Sequence, residues 1–169
     1  DSTICSDVAS GIILGVAGGS VPAGTYDVFL NTKDAGLTGT ATTGVGLAAN
    51  GIASDMFTNR TGGALQVIYD VTPVGTNGCR GDVDQVTLTV NPEPVLATNL
   101  NTTVCSDEAT GLTLDISAGS VAAVSYHVQN INVGAGLVPD AGNAGTGNNL
   151  PADTLSGDIF TNLTGGPVN

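Results

Sequence analysis

The residues able to do chemistry are few in this chain and mostly acidic: one histidine, three cysteines, and 15 acidic against 3 basic side chains. Catalysis needs a base, nucleophile or metal cluster held in one place. No zinc spacing, phosphate-cradling glycine loop or nucleophile elbow is present. His127 sits on a strand pattern that turns it outward beside Tyr126 and Val128, and the matching position earlier in the chain is Asp27. A surface histidine is the expectation, and no enzymatic activity is expected. Among the carboxylates, Asp82 and Asp84 offer two oxygens where calcium takes about six to eight. Asp7 and Asp107 occupy equivalent places where an ion would stiffen a joint. These four are weak calcium candidates, with solvated carboxylates the plainer expectation, and no other cofactor is implied. Arg80-Gly81-Asp82 spells a tripeptide that some integrins bind, although three residues fall together readily by chance. Asn59, Asn101 and Asn162 each open an Asn-x-Thr acceptor pattern for glycosylation.

The three cysteines fall at telling places. Cys5 opens the chain's first repeat, Cys79 precedes that repeat's last strand, and Cys105 takes the place of Cys5 in the second. The spacing predicts a Cys5–Cys79 disulfide that leaves Cys105 unpaired by truncation, its partner expected beyond Asn169. Closing so long a loop would stabilise the module by roughly 4 kcal/mol and would imply an oxidising compartment. Two buried free thiols are the alternative.

The elements holding these residues are set by an internal repeat. Cys5-Ser6-Asp7 recurs as Cys105-Ser106-Asp107, Gly19-Ser20-Val21 as Gly119-Ser120-Val121, and Tyr26-x-Val28 as Tyr126-x-Val128, all at an offset of 100. Past a loop of differing length, Asp55 to Gly63 recurs as Asp158 to Gly166 at an offset of 103. Asn91-Pro92-Glu93-Pro94 marks the junction, because closely spaced prolines cannot continue a ladder. Two repeats are therefore expected, residues 1–96 and residues 97–169, the second lacking its C-terminal strands. Both ends are expected to be cut from a longer array.

Period-two alternation predicts half-buried strands. The inward sets are Leu65, Val67, Tyr69 and Val71; Val86, Leu88 and Val90; and Tyr26, Val28 and Leu30. Ile12, Leu14 and Val16 form another, with Leu112, Leu114 and Ile116 as its counterpart. Residues 34–54 and 133–155 read as variable loops with one or two weak edge strands. Short strands between Gly, Asn and Pro clusters, in a unit of about 100 residues, point to an all-β fold. The expected architecture is tandem immunoglobulin-like β-sandwich modules of about seven strands, the second incomplete. A net charge of −12 repels phosphates, and no apolar run approaches a membrane span. Neither nucleic acid nor membrane insertion is expected.

The order Cys5-Ser6-Asp7, Asn59 to Gly63, Val67 to Pro73, Gly78 to Gly81 and Val86 to Pro94 resembles the PKD-like repeats of large Bacteroidota surface proteins. That resemblance implies an immunoglobulin-like sandwich strung in tandem within secreted or surface-anchored adhesins, with no catalytic residues to carry over. An aromatic-rich middle strand expected in that family is missing here. Ser2 and Thr154 follow aspartates in a short pattern similar to the O-glycosylation site of Bacteroidota. The expected role is a structural or adhesive segment of an extracellular filament or cell-surface adhesin, whose partners are neighbouring repeats, further copies of itself, or a surface or glycan ligand. Two alternatives stand beside it. One is a filament subunit polymerising by donor-strand complementation, and the other is a spacer or glycan-binding module of a secreted multidomain enzyme.

Overall fold

The computed structural model describes residues 1–169, all β-strand, turn and loop. It divides into two compact units, one of Asp1–Glu93 with Gly119–Val121 and the other of Pro94–Ala118 with Ala122–Asn169.

Unit 1 contains seven strands: β1 (Ser2–Cys5), β2 (Ala23–Lys33), β3 (Leu37–Thr38), β4 (Gly44–Leu47), β5 (Thr58–Asn59), β6 (Leu65–Gly75) and β7 (Asp84–Asn91). Five make one sheet in the order β1-β7-β6-β2-β4. Every pairing in it is antiparallel except β1 with β7, which runs parallel from Ser2 beside Leu88 to Cys5 beside Asn91. The β3–β5 pair and the Ala9–Met56 bridge belong to the opposite layer.

The core follows the alternation in the long strands. Val67, Tyr69 and Val71 of β6 meet Leu88 and Val90 of β7 and Tyr26 and Val28 of β2, while Leu14, Leu37, Ile52 and Phe57 close the other side. Leu30, expected inward, is 42% exposed, because a register shift between Leu30 and Thr32 breaks the alternation there.

The segment Ile12 to Val16 forms no ladder. Leu14 is buried and Val16 is exposed, and the segment is pinned by Gly11 N to Ala53 O at 2.9 Å and Leu14 N to Ala49 O at 2.8 Å. Those donors are three residues apart, whereas strand pairing repeats every two. Gly11, at φ +62°, starts the departure. The counterpart Leu112, Leu114 and Ile116 is likewise outside any strand; Gly111 N donates to Ser156 O and Leu114 N to Ala152 O.

Unit 2 contains β8 (Tyr126–Val128), β9 (Leu137–Pro139), β10 (Gly147–Leu150) and β11 (Phe160–Asn162), paired as β8 with β10 and β9 with β11. These correspond in order to β2, β3, β4 and β5. Residues 94–169 contain no counterpart of β1, β6 or β7 and no fully buried hydrophobic side chain. The bulge of β4 recurs: Gly46 at φ +75° is matched by Asn149 at φ +57°, asparagine being one of the few other residues that tolerates the left-handed region.

Candidate functional site

The polar residues inside unit 1 form three nodes, each joining elements distant in sequence. The first is Asp55, 4% exposed at the end of the turn 48–54. Its carboxylate accepts from Thr42 N at 2.9 Å, Thr42 Oγ1 at 2.5 Å and Tyr69 Oη at 2.6 Å. Tyr69 is wholly buried in β6. Burial, then the bond to Asp55 and the carboxylate's charge, push its phenol far above the ordinary tyrosine range. It is therefore a neutral donor that fastens the sheet to the opposite layer.

The second node is Asn59, with no exposed surface. Its Nδ2 donates to Gly63 O at 2.9 Å and Val90 O at 2.7 Å, and its Oδ1 accepts from Thr61 N and Thr61 Oγ1. Ser6 Oγ accepts from its backbone amide at 2.9 Å. An amide nitrogen so enclosed is no glycan acceptor, which corrects the expectation for Asn59. Asn162 is half-buried with its Nδ2 donated to Gly166 O, whereas Asn101 is exposed. Ser2 lies half-buried in β1 and Thr154 half-buried in a turn.

The third node is Asp27, 1% exposed. Its Oδ1 accepts from Gly46 N at 2.9 Å, and its Oδ2 faces the Arg80 guanidinium as an ion pair without hydrogen-bond alignment. The arginine of Arg80-Gly81-Asp82 thus neutralises a buried carboxylate of its own module, while Asp82 is exposed. Next to Arg80, an open cleft of about 720 Å³ has an apolar wall that includes Ile12, Val16, Val21, Pro73 and Val86, and Asp1, Asp82 and Asp84 at its margin.

Nowhere do three His, Cys, Asp or Glu side chains gather as a metal site. Asp7 and Asp107 instead take left-handed turns at φ +60° and +66° and accept from Thr58 Oγ1 and Thr161 Oγ1, each at 2.5 Å. Asp84 accepts from the Gln85 amide. His127 is exposed in β8.

The expected Cys5–Cys79 bridge is not formed: all three cysteines are exposed free thiols. Cys5 lies beside Asn91, at one end of β7, and Cys79 lies in the turn beyond Asp84, at its other end. Eight residues of strand separate the two by more than about 20 Å, against the roughly 4.4–6.8 Å between Cα atoms that a disulfide needs. The error came from reading order along the chain as proximity; the parallel β1–β7 pairing puts the two residues at opposite ends. No compartment follows from the cysteines.

Asp27, Asp55 and Tyr69 were not singled out by sequence as a linked set. One signal was available: Asp55 returns as Asp158, and Asp158 is also buried at 5% exposure. Much of the frame returns with it, since Asn162 N donates to Ser106 Oγ and Thr164 Oγ1 to Asn162 Oδ1.

The family model of the PKD-like domain matches residues 2–94, which takes in β1 to β7 and all three nodes. No curated protein and no solved structure matches the chain.

Proposed function

The chain belongs to the PKD-like domain family, and from that premise we propose that it is a structural and adhesive segment of an extracellular or cell-surface filament or stalk, built from such modules in series. Family members are generally non-catalytic immunoglobulin-like modules, typically found outside the cell. No helix here is long and apolar enough to cross a membrane. The Bacteroidota adhesin setting suggested by the sequence resemblance fits this reading.

The observation that carries the proposal is the parallel β1–β7 pairing. β1 is the first strand of unit 1 and β7 its last, and they lie side by side from Ser2–Leu88 to Cys5–Asn91, extended by Ser6 N to Asn91 O at 2.9 Å. Tension applied through the two ends of the module draws β1 and β7 past each other along their length. The bonds between them then share the force in shear and must fail together, instead of opening one at a time. A module in a chain under tension needs this property, whereas a free-standing binding domain does not. The glycan-binding alternative has less support, because Tyr26, Tyr69 and Phe57 are buried and Tyr126 and Phe160 half-buried, which leaves Phe29 as the one exposed aromatic and no platform of several rings for a sugar.

Single-molecule pulling on the full chain tests the proposal. Neighbouring residues of a strand turn their N–H groups to opposite sides, so in the pair Thr3→Pro and Ile4→Pro one variant removes a β1–β7 bond and the other serves as its control. One variant is expected to unfold at a clearly lower force than the parent and the other near it. Parent and both variants unfolding at the same low force would overturn the mechanical reading.

A further inference from the structure

A β-sheet ends in strands whose outer N–H and C=O groups have no partner, and such an edge invites pairing with another chain. Lysine, proline or a bulge on the last strand blunts it. β4 is the terminal strand of the five-stranded sheet, beyond β2. Its sequence, Gly44-Val45-Gly46-Leu47, has neither charge nor proline, and Val45 is 67% exposed. By composition it is an open apolar edge.

The backbone supplies what the side chains do not. Between the Tyr26–Leu47 and Val28–Gly44 pairs, β4 has two residues, Val45 and Gly46, against one, Asp27. The surplus residue bends a strand and increases its twist, so that it no longer offers a flat template. Gly46 takes φ +75°, and its N–H, left outside the ladder by the bulge, donates to Asp27 Oδ1 at 2.9 Å. Asp27 is 1% exposed and has the Arg80 guanidinium against its other oxygen.

The same departure occurs in β10, the counterpart of β4. There the register shifts between Gly147 and Leu150, and Asn149 takes φ +57°. His127 stands in place of Asp27. The bulge thus recurs while the side chain opposite it differs, which makes the backbone shape the common feature.

We propose that the bulge at Gly46 is an edge guard that stops β4 of one copy from pairing with β4 of another, and that Asp27 holds it in place in unit 1. The guard is independent of the mechanical role of β1 and β7, since β4 lies at the opposite edge of the sheet.

Two variants of the full chain test it. Gly46→Val probes the backbone alone: a Cβ there meets no atom within 4 Å, but a β-branched residue resists φ +75°. Asp27→Val removes the acceptor from the Gly46 N–H. Sedimentation velocity over a concentration series follows association, and hydrogen exchange at Gly44–Leu47 locates it. Self-association about tenfold or more tighter than the parent's is expected, with new protection of β4. Adding Val45→Lys to either variant should return it to the parent's behaviour, because a charge restores a guard of another kind. Variants no more associated than the parent, or association that Val45→Lys leaves in place, would overturn the proposal. So would loss of the fold in both variants, or a parent chain already paired through β4.

Discussion

Phe57 and Phe160 occupy equivalent places in the two units, each beside a buried aspartate and an Asn-x-Thr-Gly-Gly turn, yet Phe57 is 1% exposed and Phe160 only half-buried. The bonds around them are nearly the same: Asp7 N donates to Phe57 O and Asp107 N to Phe160 O, both at 3.0 Å. What differs is β6 and β7, which bring Val67, Tyr69, Leu88 and Val90 against unit 1 and have no counterpart among residues 94–169. The comparison separates two contributions that are usually mixed. Turns, left-handed aspartates and side-chain caps define a frame from local sequence. Burial of apolar area, the larger stabilising term, waits for the two long strands.

Truncating the two phenylalanines is the harshest test of this separation. Phe57→Ala is expected to lower the stability of unit 1 by about 3–5 kcal/mol, the usual cost of emptying a closed aromatic site. Phe160→Ala should cost under about 1.5 kcal/mol, since less contact is lost where the side chain is already partly hydrated. Hydrogen exchange in urea, read at Val67–Val71 for unit 1 and Phe160–Asn162 for unit 2, gives the two values. Equal losses would break the comparison.

A sharper version uses the asparagines. Both Asn59 and Asn162 close their turns, but only Asn59 also holds a carbonyl of β7, at 2.7 Å. Asn59→Ala leaves Val90 O buried without that donor, and a loss of about 2–3 kcal/mol is expected. Asn162→Ala removes turn bonds alone and should cost about 1 kcal/mol or less. The same exchange experiment measures both. A loss at Asn162 as large as that at Asn59 would mean that the turn, not the link to β7, carries the effect.

Much of this organisation was legible in the sequence, and the reasons differ by element. The inward rows of β6 and β7 follow alternation, because those strands have one dry face. The repeat offset matched turn to turn, because turn residues recur with their backbone demands, Asp7 with Asp107 and Gly46 with Asn149 among them. Ile12 to Val16 misled, since the same alternation occurs in an extended segment pinned only at intervals. Cys79 misled because proximity depends on strand direction, which composition does not encode. The Asp55–Tyr69 link stayed hidden for a related reason: its partners are far apart in sequence, and only the fold brings a phenol to a carboxylate.

That link also supplies the smallest of these effects and the one most specific to unit 1. An unfolded tyrosine ionises near pH 10. Tyr69 in the folded unit is raised well above that, chiefly by burial and then by its bond to Asp55. Below about pH 10 both states hold the proton, so the full contribution of the buried phenol is present. As pH rises past the unfolded value, the unfolded chain releases a proton that the folded unit retains, and stability falls by about 1.4 kcal/mol per pH unit on this account. Urea midpoints of unit 1 between about pH 9 and pH 11 should show that decline. Tyr69→Phe should begin less stable at neutral pH and lose that part of the slope. Unit 2 has a buried aspartate and no such tyrosine, so its exchange rates, corrected for intrinsic chemistry, should lack this component. A parent and a Tyr69→Phe variant with the same slope would show that the phenol is not held by Asp55 as a neutral donor, and the contrast between unit 1 and residues 94–169 would lose its clearest chemical mark.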